Sequence, residues 1–278
     1  MKEIKNILQQ KSLRVLITGD GCWDKYHYGD VKRISPEAPV PVFDYVSMKI
    51  KSGMAENVSY NLVKLLDNHL PEKKYFRHIF MTENKNRYID RKSKQQLFRV
   101  DEKLDQKNIH LTFEDAKKSL ENESLDLVVI SDYDKGTLSY ENIEELILIA
   151  KSKNIDIFID TKKKDLARFE GAFIKINELE YNSSISKCSN IIVTRAENGI
   201  IYHKRLPDAP MWFPVKPIDF IDVTGAGDTF LASVSFMYAL TKDMGKAIMF
   251  ANRAAQITIQ QHGCYAPTLE EICDYQER

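Results

Sequence analysis

The chain has 278 residues and a mass of 32.2 kDa, which allows one large domain or two small ones with a substantial core. Forty Lys and Arg residues balance forty Asp and Glu residues, which disfavours a protein that coats nucleic acid. A hydrophobic fraction of 43% excludes an intrinsically disordered chain. The four cysteines form no Cys-x-x-Cys pair, and no apolar run approaches the ~20 residues that cross a bilayer. We therefore expect a cytoplasmic protein without a disulfide framework, a zinc site or membrane contact.

The first third of the chain predicts a buried strand followed by a small β structure. After a short polar helix, residues 14–20 predict a strand that ends at a Gly-Asp turn. Residues 40–46 and 95–100 predict further strands, and residues 86–91 are expected to pair with the second of them. These segments do not alternate with helices. We expect them to form a β lid, from about 38–52 and 84–101, that projects from the body of the protein.

The rest of the chain predicts an α/β body. Apolar runs at 127–130, 155–159, 172–176 and 191–193 are separated by segments such as 140–151, whose apolar residues have helical spacing. This alternation is typical of a parallel sheet covered by helices on both faces. Two amphipathic helices are predicted near 226–240 and 244–261. Because no repeat or Gly/Ser linker interrupts the chain, we expect a single domain over 1–278 with the lid attached to it.

The most informative segment is Asp222-Val-Thr-Gly-Ala-Gly-Asp228, directly before a predicted helix. Backbone N–H groups at a helix N-terminus lack partners within the helix and bind anions. The functional interpretation is that the amides of Gly225, Ala226 and Gly227 hold a phosphate in transit while Asp228 accepts the proton of an attacking hydroxyl. The structural alternative is a capping Asp after a Gly-rich turn. No Gly-Lys-Ser/Thr follows, so the segment is not a Walker A loop.

This segment, extended to Thr229, resembles the C-terminal signature of the ribokinase-like carbohydrate kinases. The resemblance implies an α/β three-layer sandwich with a mainly parallel central sheet and a small β lid. It also implies ATP and Mg²⁺ as cofactors, leaves a monovalent cation open, and makes Asp228 the base. Asn177-Glu-Leu-Glu180 resembles the family's Asn-x-x-Glu motif, which holds Mg²⁺ through water, although the same pattern is a common helix start. The nucleotide contacts that the resemblance implies are Asn177, Glu178, Leu179, Glu180, Lys162, Thr194, Arg195, Thr224 and Asn252.

A closer resemblance is to the D-glycero-β-D-manno-heptose 7-phosphate kinases of lipopolysaccharide-precursor synthesis. Their opening pattern matches Gly19-Asp20, Asp24 and Tyr26, and their run Arg-Ile-Ser-Pro-Glu-Ala-Pro-Val-Pro-Val is identical to residues 33–42. Ser131-Asp-Tyr-Asp-Lys-Gly136 follows the same subgroup. Turn, cap and solvated-lysine roles are structural alternatives for several of these residues. The sugar contacts that the resemblance implies are Asp20, Asp24, Arg33, Ser35, Glu37, Gly53, Asn57, Lys85, Arg87, Gln96, Arg99, Asp132 and Lys135.

Three departures from the subgroup pattern bear on the sugar. The usual Gly-Gly-Ala-Ala-Asn segment is Gly53-Met-Ala-Glu-Asn57, which puts Met54 where the backbone is expected to approach the sugar. The chain between positions 57 and 99 is about twenty residues shorter than the subgroup norm, which we expect to trim an edge of the sheet. Asp160-Thr-Lys162 and Lys175-Ile176 replace Asp-Pro-Lys and Thr-Pro, changes that we expect to be minor. The run 162–164 is otherwise expected to be an ordinary charged surface.

The leading hypothesis is an ATP- and Mg²⁺-dependent kinase of heptose 7-phosphate that acts at the anomeric hydroxyl, O1. A kinase of another sugar or sugar phosphate is the first alternative, and a catalytically weak relative that binds nucleotide or sugar is the second. The bifunctional members of the family carry a nucleotidyltransferase domain with a His-x-Gly-His motif. This sequence lacks that motif, so a separate adenylyltransferase is expected to act downstream. By family analogy, and because strand edges need cover, we expect a homodimer formed through the lid.

Overall fold

The computed structural model describes residues 13–66, 73–205 and 208–275 of the chain. The strands of this part are β1 (Leu13–Ile34), β2 (Pro41–Met54), β3 (Lys73–Asp90), β4 (Gln96–Lys103), β5 (Leu127–Asp132), β6 (Asp156–Thr161), β7 (Phe173–Asn177), β8 (Ile191–Thr194), β9 (Ile200–His203) and β10 (Met211–Phe213). The helices are α1 (Ala55–Leu66), α2 (Ile109–Asn122), α3 (Tyr140–Ser152), α4 (Glu178–Ser183), α5 (Ala226–Thr241), α6 (Met244–Ile259) and α7 (Leu269–Asp274). The short polar helix predicted at the N-terminus lies outside the described residues.

One sheet forms the centre of the molecule. Its strand order is β10-β9-β8-β7-β6-β5-β1-β3-β4, and β2 pairs with β1 off this path. All neighbouring strands from β3 through β1 and β5 to β8 run parallel, whereas β4, β9 and β10 run antiparallel to their neighbours. Strand β5 is buried along its whole length, as expected of a strand covered on both faces. The predicted mainly parallel α/β sheet is confirmed, and the four apolar runs form β5 to β8.

Helices cover both faces of this sheet and complete the three layers. On one face α1, α5, α6 and α7 bury apolar side chains that include Leu62 and Phe236. On the other face α2 and α3 do the same with Phe113 and Leu146. The sheet is therefore held between two hydrophobic cores. The helices predicted at 140–151, 226–240 and 244–261 are confirmed as α3, α5 and α6. None of the helices in the described ranges is both long and apolar enough to span a membrane.

Strands β1 and β3 continue past the body of the sheet into a projecting β structure. Strand β1 pairs with β5 up to Gly19 and with β2 from Gly21 to Ile34, while β3 stays beside β1 as far as Asp90. The prediction that the first strand ends at a Gly-Asp turn is therefore wrong. Gly19 has a φ of +141°, and a Cβ there would lie 2.0 Å from the carbonyl oxygen of Ser131. Glycine is thus required where β1 passes closest to β5 before leaving it.

We call residues 21–54 and 82–103 the lid. Its four strands are the second halves of β1 and β3 together with β2 and β4, and the predicted lid segments 38–52 and 84–101 lie within it. Strand β4 pairs only with the lid part of β3, at positions 83–89. In the described residues the body of the sheet therefore ends at β3, which lies within the segment between positions 57 and 99 that is expected to be shortened.

Candidate active site

Asp228 lies in the first turn of α5, at the edge of the sheet where the parallel strands end. Open α/β sheets place their ligands at this edge. The helix begins after Gly225, whose φ of +83° is in the left-handed region. A Cβ at Gly225 would also lie 2.8 Å from Nδ2 of Asn57. The turn therefore requires glycine both for its conformation and for the close approach of α1 to Asp228.

Both carboxylate oxygens of Asp228 accept hydrogen bonds. Asn57 donates from Nδ2 to Oδ2 at 2.9 Å, and Tyr133 donates its hydroxyl to Oδ1 at 3.0 Å. Burial raises the pKa of Asp228 to about 6. The negative charge of Asp160 also raises it, whereas the two hydrogen bonds and the positive charge of Lys175 lower it. A carboxylate with this pKa is ionised at neutral pH and is still basic enough to accept a proton.

The first turn of α5 also offers backbone donors. Within the described parts of the chain, the N–H groups of Gly227 and Asp228 have no hydrogen-bond acceptor. The N–H of Ala226, in contrast, donates to the carbonyl oxygen of Val223 at 3.3 Å. Free N–H groups and the helix dipole together favour an anion at this position. Among the described residues the N–H of Gly225 also lacks an acceptor, so of the predicted anion hole over 225–227 only the N–H of Ala226 is already used.

A buried ion pair lies beside these amides. Lys175 on β7 places its Nζ 2.6 Å from Oδ2 of Asp160 on β6, and both side chains are almost fully buried. A Cβ on Gly227 would lie 2.9 Å from the same Nζ, so the ammonium group is directly against the start of α5. The expectation that the change to Lys175-Ile176 is minor is wrong, because this change puts a fixed positive charge in the site.

A cavity of about 830 Å³ opens on one side of Asp228, a volume typical of small-molecule sites. Its wall has four basic side chains, those of Lys162, Lys175, Arg195 and Lys216, four acidic ones, those of Asp160, Glu178, Glu197 and Asp228, and exposed apolar side chains such as Phe220. The basic and apolar side chains together suit a ligand that is partly anionic and partly apolar, as a nucleotide is. The predicted residues that line the cavity are Asn177, Glu178, Leu179, Lys162, Thr194, Arg195, Gly225, Ala226, Gly227, Asp228 and Asn252. Thr224 is not among the lining residues; its N–H donates to Oδ1 of Asp222 at 2.9 Å.

Asn177 and Glu180 cap the start of α4. Oδ1 of Asn177 accepts the N–H of Glu180 at 2.9 Å, and Oε2 of Glu180 accepts the N–H of Asn177 at 2.8 Å. The other oxygen of Glu180 pairs with Lys162. Burial lowers the pKa of Lys162, but the charges of Asp160 and Glu180 more than offset this, so its pKa is raised. The helix-start interpretation of the Asn-x-x-Glu motif is therefore confirmed, and Lys162 stays positively charged beside the cavity.

The same residues suit Mg²⁺ that is held through water. In the described residues no cluster of three His, Cys, Asp or Glu side chains could hold a metal directly. The side-chain oxygens of Asn177 and Glu180 already have protein partners, and their remaining lone pairs can accept hydrogen bonds from metal-bound waters. Oδ1 of Asp160 is buried without a partner in the described chain, and it can accept a further one. Mg²⁺ keeps several waters and takes substrate phosphates as ligands, so this donor set fits it.

The lid meets the other side of Asp228 with a charged surface. Arg87 on β3 pairs with Asp24 on β1 at 3.0 Å. The buried carboxylate of Glu83 pairs with Lys85 at 3.4 Å and, across to the body, with Lys135 at 3.0 Å. Three positive side chains therefore converge where the lid joins the body. Such groups bind phosphate and sugar oxygens well.

The sequence model of the pfkB family of carbohydrate kinases matches residues 87–272. This range is more than half of the chain and includes Asp228, the Asn-x-x-Glu motif and every residue that lines the cavity. The chain belongs to the pfkB carbohydrate kinase family. This confirms the resemblance to ribokinase-like carbohydrate kinases and the expected enzyme class, phosphotransferases with an alcohol group as acceptor.

Individual proteins agree with the assignment to the pfkB family. The chain is 31% identical to the bifunctional protein HldE of a Nitratiruptor species, over 95% of this chain and 65% of that protein. It is 32% identical to the bifunctional protein HldE of Histophilus somni, over 93% of this chain and 62% of that protein. The chain thus spans less than two thirds of the length of these relatives.

Solved structures of pfkB-type kinases share the fold. The Escherichia coli phosphofructokinase-2 structure in complex with potassium has a TM-score of 0.69 at 15% identity, over 94% of this chain and 97% of that chain. The Arabidopsis thaliana ribokinase complexed with ribose and ATP has a TM-score of 0.65 at 12% identity, over 95% and 98% of the two chains. At these identities the comparison shows the fold, and it confirms the ribokinase-like architecture.

Asp20 supports the pfkB site from inside the protein. It is fully buried. Its carboxylate accepts the backbone N–H groups of Tyr133, Lys135 and Thr137 at 2.7, 3.1 and 3.3 Å. All these bonds fix the loop after β5. The structure therefore corrects the prediction of a direct sugar contact, since a buried carboxylate with three donors positions that loop.

Asp132 is likewise internal. Its Oδ2 accepts the hydroxyl of Thr161 at 2.6 Å and pairs with Lys163 at 3.2 Å. Burial raises the pKa of Asp132, and the positive charge of Lys163 opposes this. The predicted sugar contact at Asp132 is thus replaced by a buried ion pair. The expectation of an ordinary charged surface over 162–164 is also wrong, since the side chain of Lys163 is only 3% exposed.

Three predicted sugar contacts lie at the distal turn of the lid, between β1 and β2: Arg33, Ser35 and Glu37. Strand β1 crosses the lid from Gly21 to Ile34, and at about 3.3 Å per residue this places the turn roughly 40 Å along the strand from Gly21. The three residues therefore lie far from Asp228 of the same chain, which corrects the prediction that they contact its sugar.

Two further predicted contacts lie on the outer lid strand, β4. Gln96 accepts a hydrogen bond from Arg87 at 3.4 Å. Arg99 is directly opposite Arg87 in the register, is exposed, and pairs with Asp101 at 2.8 Å. Both residues are thus neighbours of Arg87, and Arg99 lies one strand further from the body.

Gly53 and Met54 join the lid to α1. A Cβ on Gly53 would lie 2.6 Å from Oδ2 of Asp24, so the backbone passes directly against that carboxylate. Met54 is buried and has a φ of +60°, a left-handed conformation that costs an L-residue roughly 1–2 kcal/mol. Backbone strain is therefore the visible consequence of methionine at this position.

Four residues of the site are not identified by the sequence patterns: Tyr133, Asp160, Lys175 and Glu83. Tyr133 lies inside the Ser-Asp-Tyr-Asp-Lys-Gly match, and Asp160 begins the Asp-Thr-Lys match, so both carried a signal. The departure at Lys175 was itself a signal, because a lysine at the end of a buried strand needs a partner. Glu83 carries no sequence signal, since its burial depends on how the lid meets the body.

Proposed function

We propose that the chain transfers the γ-phosphoryl group of ATP to O1 of D-glycero-β-D-manno-heptose 7-phosphate, a step in ADP-heptose and lipopolysaccharide-precursor synthesis. The observation that carries this proposal is the position of Asp228, between a nucleotide-sized cavity and the charged surface of the lid. The heptose follows from the resemblance of residues 19–42 and 131–136 to the heptose 7-phosphate kinases. Relatives named bifunctional protein HldE, aligned over more than nine-tenths of the chain, support it.

In this reaction Asp228 is the general base. Its carboxylate accepts the proton of the sugar O1 hydroxyl as that oxygen forms a bond to the γ-phosphorus. The bond from the γ-phosphorus to the bridging oxygen breaks, and ADP leaves. The N–H groups of Gly227 and Asp228 and the ammonium group of Lys175 face the negative charge of the transferred group. Asn177 and Glu180 would hold Mg²⁺ through water, and the bound ion would supply further neutralisation of the phosphate oxygens.

The lid supplies the contacts to the acceptor. Arg87 keeps N–H groups beyond those used by Asp24, and Lys85 and Lys135 share the single carboxylate of Glu83. Among these five side chains, Arg87, Lys85 and Lys135 against Asp24 and Glu83, the positive charges exceed the negative charges by one, which favours a phosphorylated sugar over a neutral one. This excess is the basis for proposing a sugar phosphate.

A kinase of another sugar phosphate is the second candidate. The strained backbone at Met54 is the observation that favours it, because the segment from Gly53 to Asn57 is expected to approach the sugar. A change of backbone geometry there would alter the shape of the acceptor pocket and leave the phosphoryl chemistry at Asp228 intact.

The first test measures ADP release from Mg²⁺-ATP, with and without K⁺, against a panel of acceptors. The panel contains D-glycero-D-manno-heptose 7-phosphate, sedoheptulose 7-phosphate, fructose 1-phosphate, fructose and ribose. We expect turnover with the heptose phosphate and its loss in Asp228→Asn. Turnover with a different acceptor would move the proposal to that sugar. If the protein binds ATP but shows no turnover with any acceptor, this would contradict the proposal that it is a sugar kinase.

A second test addresses the lid. Arg87→Gln removes a positive charge at the junction, and we expect the KM for the sugar phosphate to rise at least tenfold with the KM for ATP unchanged. Arg91→Gln is the matched control, because Arg91 pairs with Asp30 at 2.8 Å further out on the lid. An equal effect of both variants would show that the lid acts through its stability and not through contact with the phosphate.

The homodimer formed through the lid stays a prediction. Apolar side chains exposed on the lid support it, and they are Tyr45, Val46, Met48, Ile50, Phe98 and Val100. Light scattering at micromolar concentration should give twice the monomer mass, and a monomer mass would contradict it.

A further inference from the structure

Tyr133 is held at both ends. Its backbone N–H donates to Oδ2 of the buried Asp20 at 2.7 Å, and its hydroxyl donates to Oδ1 of Asp228 at 3.0 Å. Because Asp20 also accepts the N–H groups of Lys135 and Thr137, the backbone at Tyr133 is held in place, and so is the position from which its phenol reaches Asp228. Burial and the negative charge of Asp228 raise the pKa of Tyr133 well above its usual value. The hydroxyl is therefore protonated, and can donate, at any working pH.

The ring of Tyr133 lies near two ammonium groups from different sides of the site. Nζ of Lys162, on the nucleotide side, is 5.3 Å from the ring centroid, and Nζ of Lys85, on the lid, is 5.7 Å from it. Both distances are within the range of a cation–π interaction. The two lysines have separate carboxylate partners, Glu180 and Glu83. The phenol thus connects the lid, the nucleotide side and Asp228.

We infer that Tyr133 is a positioning residue that fixes the orientation of the Asp228 carboxylate for proton transfer. This inference rests on the proposed function. Asn57 fixes one oxygen and Tyr133 the other, so the two donors together define the plane of the carboxylate. A base held in one orientation presents its free lone pairs in a constant direction, and small errors in such placement lower rates strongly.

The hydroxyl of Tyr133 also favours the ionised form of the base. The charged and titratable groups that act on Asp228 come from each neighbouring element, and they are Tyr133 after β5, Asp160 on β6, Lys162 after β6, Lys175 on β7 and Cys264 before α7. Removing the hydroxyl leaves all the other charges in place and removes one hydrogen bond to the carboxylate. The pKa of Asp228 should then rise.

Tyr133→Phe tests the inference, because it removes the hydroxyl and keeps the ring. We expect kcat to fall about tenfold with the KM for ATP unchanged. We also expect the acid limb of the pH–rate profile to move up by about one pH unit. Tyr202→Phe is the matched control: Tyr202 is buried on β9 and donates its hydroxyl to Asn190 at 2.8 Å, outside the site. This control should lose stability without any change in the acid limb.

A second readout needs no substrate. The difference in Tm between the wild type and Asp228→Asn, followed from pH 4 to 8, reports the ionisation of Asp228 in the folded protein. In a Tyr133→Phe background the pH at which this difference develops should move up in parallel with the acid limb. If no sugar is phosphorylated, the proposed function fails, and this measurement still decides whether Tyr133 acts on Asp228. An unmoved transition in Tyr133→Phe would overturn the inference.

Discussion

The ammonium group of Lys175 and the carboxylate of Asp160 meet at 2.6 Å, almost fully buried between two strands and a helix. The two residues are direct register partners on β6 and β7, so strand pairing alone brings their side chains together. The ammonium group then reaches the first turn of α5, where Gly227 has no side chain to exclude it. Each buried charge would be unfavourable without the other. The pair therefore links the edge of the sheet to the helix that carries Asp228.

Lys175→Met should destabilise the protein by about 3–5 kcal/mol, because it leaves Asp160 charged and buried without a partner. The double variant Asp160→Asn/Lys175→Met should recover most of that loss. Urea unfolding at pH 7 measures both. Lys74→Met is the control, since Lys74 pairs with Glu123 at the surface and should change the free energy of unfolding by less than about 1 kcal/mol. Equal effects at the two lysines would show that burial of the Asp160 pair has no energetic consequence.

Gly225→Ala should cost about 1–2 kcal/mol, because its φ of +83° is unfavourable for a residue with a Cβ. The added Cβ would also press on Nδ2 of Asn57 and weaken its hydrogen bond to Asp228, so kcat should fall as well. Gly245→Ala, in the first turn of α6, is the control: its φ is not positive and the added Cβ would come closest to Oδ1 of Asp243, at 3.3 Å, so stability should change by less than about 0.5 kcal/mol. Thermal unfolding and steady-state kinetics test both variants, and a fully active Gly225→Ala would contradict the requirement for glycine.

At position 54 glycine should give a more stable protein than alanine, which is the reverse of their usual effect on stability. Met54→Gly should be more stable than Met54→Ala by about 1 kcal/mol, because only glycine adopts the φ of +60° without strain. The same pair of changes at Met237, inside α5, should favour alanine by about 1 kcal/mol. The comparison cancels most of the loss of the buried methionine side chain, which is common to both variants. The same order at both positions would rule out strain at Met54.

Most of the fold can be predicted from apolar runs and from the spacing of apolar residues in the sequence. The buried runs in β5 to β8 and the amphipathic helices α3, α5 and α6 lie where periodicity predicts them. The extension of β1 beyond Gly19 could not be predicted, because Gly-Asp is a common turn pair and the need for glycine here comes instead from the close approach of Ser131. That contact depends on a residue more than a hundred positions away.

In the site, too, local features can be predicted from the sequence, and features that depend on distant residues cannot. The helix start at Asp228 and the capping box of Asn177 and Glu180 are local, and the sequence predicts their positions. The roles of Asp20 and Lys175 depend on which strands become neighbours, so the sequence predicts neither the internal hydrogen bonds of Asp20 nor the buried ion pair of Lys175. A motif gives residue types in order, and only the assembled sheet determines which of them face the cavity.

The pKa of about 6 at Asp228 gives the rate and the stability opposite pH dependences. The ionised carboxylate is the base, so the rate should rise as the pH increases through about 6 and then level off. In the unfolded chain an aspartate ionises near pH 3.9, so between about pH 4 and 6 the folded state holds a proton that the unfolded state has lost. Stability should therefore fall by about 3 kcal/mol across this range as the pH rises. Asp228→Asn should remove this loss. The free energy of unfolding of the variant minus that of the wild type should therefore be larger at pH 7 than at pH 4. Urea unfolding of both proteins at the two pH values measures this, and an equal difference at both would place the pKa of Asp228 outside the range.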